Sequence, residues 1–330
     1  MSVRADNDHY ARVEKYAKEI QKLYLKVADF SAKKAVQLNP KQPVFYFKDY
    51  PVLNRQIDKL IGELRNNMAT TIQSGISKEW DKANENNDEL VKLLSRNIKL
   101  PSGKYQTRNL KALEAFQNRK IKGQKLSDRV WNYSQQYKTE LEQALDVGIA
   151  DGRSAAQLSR DVREYLREPE KLFRRVRDKN GNLKLSKNAL KYNPGAGVYR
   201  SSYKNAMRLT RTEINQSYRE ADYLRWQEMD FIVGIEIRRS NHEYGCPVCE
   251  SLKGKYPKNF KFIGWHPHCR CHAIPILATQ KELLDSIDND SPVQSKNEVK
   301  AMPNNFTKWL KDNQARIDGS RSKPLWMNPL

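Results

Sequence analysis

Ligand-type residues crowd into one short stretch of this 330-residue chain. Its only four cysteines, Cys246, Cys249, Cys269 and Cys271, fall within 26 positions, and His266 and His268 stand among them. Cys246-Pro-Val-Cys249 is a C-x2-C knuckle, which offers two thiolates from one tight turn. Zinc takes four such soft or borderline ligands in a tetrahedron, so the second half must supply the other two. His266-Pro-His268-Cys269-Arg-Cys271 can do so. His266-x2-Cys269 repeats the knuckle spacing, and Cys271 or His268 can substitute for either member. The expected chemistry is a structural Zn2+ site. A redox C-x-x-C pair needs a βαβ context that is missing here and leaves the second cluster unexplained. Free buried cysteines are the plainer alternative. His242 and His272 read as ordinary surface histidines.

Four protein ligands leave no water position, so such a metal staples a small fold rather than running a reaction. The chain has no GxxxxGK[ST], no GxGxxG after a strand, no HExxH and no GxSxG. His268, Glu243 and Glu250 form no spacing that marks a second, catalytic metal. The expectation is therefore a protein that is not an enzyme. A metal-dependent nuclease with a supporting zinc knuckle is the main rival, and a cellular or mobile-element zinc-knuckle protein that binds nucleic acid is a third reading.

The elements that must position these ligands are mostly helical. Val13, Tyr16, Ala17, Ile20, Leu23, Tyr24, Val27 and Phe30 recur at spacings of three and four, which predicts a one-sided helix ending near Asn39-Pro40. A second helix follows from Leu53 to Ile72 and is the natural partner of the first. Val130, Tyr133, Tyr137, Leu141 and Leu145 mark another that runs to about Ala150. After the Asp151-Gly152-Arg153 turn, Ser154 and Gln157 form a capping-box pattern that opens a helix through Leu166. A long helix is predicted over 203–229, then a strand at Val233, Ile235 and Ile237. Beyond the cysteines, Ala273–Leu277 reads as an edge strand, because Pro275 cannot donate to a ladder. Asp285–Asn305 reads as a linker, 306–317 as a short helix and the remainder as a tail. Trp309 and Trp326 there suggest docking to another chain or folding back on the core. The expected fold class is mainly α with a small zinc-stapled β-hairpin unit, an α+β chain. Its expected segments are an N-terminal helical region (1–94), a basic arm or loop (95–126), a zinc-knuckle domain (127–280) and a linker, short helix and tail (281–330).

Sixty Lys and Arg stand against 39 Asp and Glu, a net charge of +21. Nineteen of those excess charges lie in two runs, 95–126 and 171–211, the second with a Gly/Asn/Lys-rich hairpin-like insert. The runs are either solvated faces or contacts for an anionic partner such as DNA. No apolar stretch approaches the roughly 18 residues of a membrane span. The start, MSVRADNDHYARVEKYAKEI, is polar where a secretory signal is apolar, so the chain is expected to stay in the cytosol.

The order of these motifs resembles a known family. Arg211-Thr212-Glu213 within a long helix, a strand, Cys246-x2-Cys249, Leu252-Lys-Gly-Lys-Tyr256 and His266-Pro-x-Cys269-Arg-Cys271 are similar to the phage Mu protein F-like minor head, or head morphogenesis, proteins. The likeness spans about 145–277, including the helix, DGRS turn and helix of Leu145–Leu166. It implies metal ligands at Cys246, Cys249, His266, Cys269 and Cys271, with His268 at a variable position. It also implies a minor structural role in a tailed-phage head, with portal or capsid proteins as partners and packaged DNA as a further contact. The implied location is the head interior near the portal, and the host cytoplasm during assembly. Arg211 and Glu213, two apart on a helix, do not face each other and are expected to bond to the zinc-bearing hairpin.

Overall fold

Helix α1 (Val3–Ala35) buries Val13, Ala17, Ile20, Tyr24 and Val27, the stripe that its spacing predicts. Helix α2 (Pro51–Ser95) opens on a proline, whose fixed φ suits a first helical turn. Its buried stripe runs past Ile72 through Ile76 and Trp80. Beyond the predicted end at Ile72, α2 bonds to α1, the Glu79 carboxylate accepting from Arg12 at 2.6 Å. Then come α3 (Leu110–Asn118), α4 (Leu126–Ala150) and α5 (Ala155–Arg167). Helix α5 begins at the capping box, with the Ser154 side chain and the Gln157 side chain each bonded to the other's backbone amide. The computed structural model describes residues 3–38, 45–101, 103–150, 152–168, 176–177, 183–184, 201–240, 245–320 and 325–327. Within the hairpin-like insert, β1 (Val176–Arg177) and β2 (Leu183–Lys184) pair antiparallel, and the rest of the basic run up to 200 lies outside the described residues.

Helix α6 (Ser202–Glu228) leads into β3 (Ile232–Arg238), the short helix α7 (Pro247–Ser251), β4 (Gly254–Tyr256) and β5 (His272–Leu277). The three strands form an antiparallel sheet in the order β4-β3-β5. Pro275 sits on the edge strand opposite Ile235, where its missing N–H costs no ladder bond. Helices α8 (Gln280–Asp288) and α9 (Asn304–Asp318) follow. The fold is thus mainly α with a small antiparallel sheet. No helix among the described residues is long and apolar enough to cross a membrane.

The chain divides into two compact units that are discontinuous in sequence. One gathers residues 1–14, 74–117 and 211–330, the other 15–73 and 118–210. Helices α1, α2 and α6 each contribute a part to both, so the boundaries fall inside helices and not at the expected segment ends near 94, 126 and 280. In the second unit the Tyr137 hydroxyl donates to the Tyr24 carbonyl at 2.6 Å, and the Glu140 carboxylate accepts from the backbone amide and hydroxyl of Ser202 where α6 begins.

The first unit carries the cysteines, and its core is aromatic. Tyr256, Phe260, Phe262, Trp265, Phe306 and Trp326 are all buried, with Trp326 edge-on to Trp265 at 5.4 Å. Trp326 also donates its indole N–H to the Trp265 carbonyl at 3.2 Å. The tail tryptophan is therefore not exposed but folds back on its own core, where the ring finds both apolar contact and a hydrogen-bond acceptor.

Two further expectations are corrected. The stretch 95–126 is not simply an exposed arm or loop, since it contains α3 and buries Ile98, Tyr105 and Phe116. The fully buried Arg225 organises it, donating to the carbonyls of Tyr105 and Thr107 while its guanidinium pairs with Asp88 at 2.8 Å. A buried cation needs such partners, and backbone carbonyls of the loop supply them. The linker expected from Asp285 begins later, because a capping box at Thr279 and Glu282 starts α8 and carries helix through Asp288.

Candidate metal centre

Local chain chemistry places the first pair of sulfurs. Cys246 is the N-cap of α7 and Pro247 holds its first position, so Cys246 and Cys249 share one turn, closed by the Glu250 amide on the Cys246 carbonyl at 2.9 Å. The second pair comes from the loop before β5. His266-Pro267-His268-Cys269 is a four-residue turn in which the Cys269 amide donates to the His266 carbonyl at 3.1 Å. Proline at its second position and a positive φ of 57° at His268 are what a type II turn demands. Gly264, at φ 111°, lets the chain pass close by, since a Cβ there would stand 3.1 Å from the Cys269 Cβ.

Five of the predicted residues converge. The His266 Nε2 lies 3.3 Å from the Cys246 Sγ and 3.2 Å from the Cys249 Sγ, and the Cys249 and Cys269 sulfurs are 3.9 Å apart. They form two triads, Cys246-Cys249-His266 and Cys249-Cys269-Cys271, that share Cys249. A tetrahedral centre with metal–sulfur bonds of about 2.3 Å has sulfurs roughly 3.8 Å apart and a nitrogen about 3.5 Å from sulfur, so the spacing fits. The His266 Nδ1 donates to the Pro267 carbonyl at 2.9 Å, which leaves Nε2 as the lone pair aimed at the sulfurs. This Cys/His group can hold a metal ion.

The protonation chemistry points the same way. Hydrogen bonds from Cys249 and Cys271 hold the Cys269 thiol well below its ordinary range against the cost of burial, with Arg219 and His266 assisting. Donating to Cys269 in turn drives Cys249 far up, and Cys271 is pushed up to about 12. Cys246 is lowered, burial being outweighed by the Cys249 amide and His266. Three sulfurs this close resist ionising together unless a cation takes the place of the protons, which is the condition that favours a bound metal.

The supporting groups lie on α1 and α6. Thr212, the centre of the Arg-Thr-Glu motif, accepts from the His268 amide through its hydroxyl at 3.1 Å. Asn215, one turn on, donates to the Cys269 carbonyl at 2.9 Å, and Arg219, a further turn on, donates to Asn215 and to the Tyr10 hydroxyl. Tyr10 of α1 donates to the Arg270 carbonyl at 2.7 Å and lies 3.2 Å from that of Cys271.

Arg211 does not bond to the hairpin as expected. It grips Glu14 of α1 through two hydrogen bonds, at 2.7 and 2.9 Å, and Arg270 reaches the same carboxylate at 3.0 Å. Glu213 is buried on the same helix. Sequence reasoning missed Tyr10, Glu14, Asn215 and Arg219. Their one local trace is on α6, where the polar residues Arg211, Asn215 and Arg219 recur every fourth position on a helix that also buries Ile214, Tyr218 and Ala221.

His268 falls outside both triads and sits 3.6 Å from Glu14. His272 is not a surface histidine. It is buried with neither ring nitrogen bonded, and burial beside Arg219 and Arg238 pushes its pKa down to about 4. His242 lies outside the described residues. A cleft lined by Arg239, Ser240, His268 and Arg270 reaches Cys246, Cys249, His266 and Cys271. Compared with models of known protein families, with curated proteins and with solved structures, the chain matches none.

Proposed function

We propose that the chain is a minor structural, or head morphogenesis, protein of a tailed phage whose Cys/His centre holds one structural Zn2+. Cys246, Cys249 and His266 would hold the ion together with Cys269, or with Cys271 in its place. Bound there, the ion supplies a cross-link between α7 and the loop before β5. The observation that carries the reading is that the motifs of the resemblance meet in space. Thr212 of Arg-Thr-Glu receives the His268 amide from within His-Pro-x-Cys, and that loop closes on the C-x2-C knuckle.

In this reading the partners are portal or capsid proteins in the head interior, with assembly in the host cytoplasm. Packaged DNA is contacted by the basic runs 95–126 and 171–211, because phosphate binding by Lys and Arg needs no sequence code. Such binding would fall steeply with salt. The nuclease reading draws its support from His268, 38% exposed at the cleft and beside Glu14. Co-expression with portal and capsid proteins tests the two: co-purification and about one zinc per chain are the expected results. Divalent-metal-dependent DNA cleavage that vanishes in His268→Ala, without association to any head protein, would replace this function with the nuclease.

A further inference from the structure

The first turns of α1 lie 200 residues and more from the metal ligands in sequence, yet they close over the backbone of the ligand loop. Tyr10 ties down Arg270 and Cys271, Glu14 holds Arg270, and His9 stands between Glu79, at 2.7 Å, and the same Asn215 that holds Cys269, at 3.0 Å. His9 and Asn215 are both nine-tenths or more buried, so the bonds that run from Glu79 through His9 and Asn215 to Cys269 have no solvent as a ready substitute, while those of Tyr10 and Glu14 are part-buried. Three consecutive residues, Cys269, Arg270 and Cys271, have their carbonyls held in this way, and two of them are candidate ligands. Sulfur positions therefore depend on whether residues 6–14 are docked, and docking depends on whether the loop is in its ligand-ready shape.

We infer that docking of residues 6–14 of α1 and loading of the Cys/His centre with metal are one coupled equilibrium, with Tyr10 and Asn215 as the positioning residues that transmit it. The inference rests on the reading of the cluster as a metal centre. Coupling of this kind is reciprocal: what α1 docking adds to metal affinity, metal must add to α1 docking. Loss of the metal would then release the start of α1 from the unit that carries the zinc-type loop, giving the centre a say over which surfaces the chain presents. A merely local staple would leave α1 indifferent to the metal.

The test uses the full chain with Zn2+ and Co2+ as probes. Zn2+ affinity is measured by competition with a chromophoric chelator for the wild type, for Tyr10→Phe, and for Leu283→Ala, which weakens the same core at a buried position away from the ligand loop. Tyr10→Phe keeps the ring and removes only the hydroxyl. Its Zn2+ affinity is expected to fall about tenfold, the lower end for an outer partner of a metal ligand, with the Co2+ thiolate spectrum unchanged. Leu283→Ala should lose stability and keep its affinity. In the wild type, chelation should speed amide exchange over residues 6–14 by a similar factor. Full metal content with unchanged affinity in Tyr10→Phe, or exchange over residues 6–14 that ignores the metal, overturns the coupling alone. A wild type holding well under half an equivalent of metal overturns the metal centre and the coupling with it.

Discussion

Cys246 and Cys249 are placed by the chain immediately around them, an N-cap, a proline and one helical turn, whereas Cys269 and Cys271 are placed by residues on α1 and α6. The first half takes its shape from bonds within its own turn. The second half has a turn of its own but takes its position from Tyr10, Thr212, Asn215 and Arg219. Such a division ties the ligand loop to α1 and α6 and leaves the knuckle to its own turn. It also means that damage to the centre should be unequal: ligand loss acts everywhere, support loss acts on the second half alone.

The largest effect is expected where the two triads meet. Cys249→Ser removes the sulfur common to both, and loss of a structural metal is among the few single changes that cost more than about 4 kcal/mol. Cys246→Ser leaves Cys249, Cys269 and Cys271 together, so this variant should keep metal with reduced affinity. Elemental analysis and thermal unfolding of the two variants check the ranking, and equal damage would dissolve the distinction between a shared and a peripheral ligand. Next comes Asn215→Ala, which leaves the Cys269 carbonyl, the Arg219 Nε and a nitrogen of His9 without a buried partner. Unsatisfied buried groups cost about 1–3 kcal/mol each and do not add fully, so a loss of about 3 kcal/mol is expected from denaturant unfolding. Thr212→Val is nearly isosteric and removes one acceptor from the His268 amide. It should cost about 1 kcal/mol and lower the metal affinity modestly, whereas the same change at Thr307, which bonds only within α9, should leave the affinity untouched.

How legible this was in the sequence follows the same division. The C-x2-C turn, the capping box at Ser154 and the apolar stripes of α1, α2, α4 and α6 are local patterns, and all of them stand where the spacing put them. The supports of the second half were not legible, because a tyrosine at position 10 and an asparagine at 215 show no periodicity that links them to Cys269. Only the fold brings them together. Buried polar residues hid in the same way. Arg225 lay within a helix and His272 beside a cysteine, and each reads as an exposed residue until the carbonyls of Tyr105 and Thr107, or the surrounding core, are known. Charge counting likewise marked 95–126 as an arm, when its apolar residues Ile98, Tyr105 and Phe116 are what fixes it. Unit boundaries inside long helices leave no composition shift to detect.

The smallest expected effect sharpens the comparison at its most ambiguous residue. His268 lies between two candidate ligands, so a ligand or catalytic role would make it indispensable, while a turn role would make it replaceable by a residue that accepts its backbone. Its φ of 57° belongs to the left-handed region, where a residue with a Cβ is strained by about 1 kcal/mol and glycine is not. Glycine also gives the unfolded chain more freedom, which offsets most of that relief. His268→Gly should therefore stay within about 0.5 kcal/mol of the wild type and keep its full metal content, because the His268 amide that bonds Thr212 is still present. His268→Ile keeps the amide too but carries a β-branched side chain into the left-handed region, so it should cost about 1–2 kcal/mol more than glycine. Unfolding and metal analysis of the pair decide the matter: a glycine variant that loses its metal would make His268 a ligand, and an isoleucine variant as stable as glycine would mean that the turn does not hold the left-handed shape on which the second half depends.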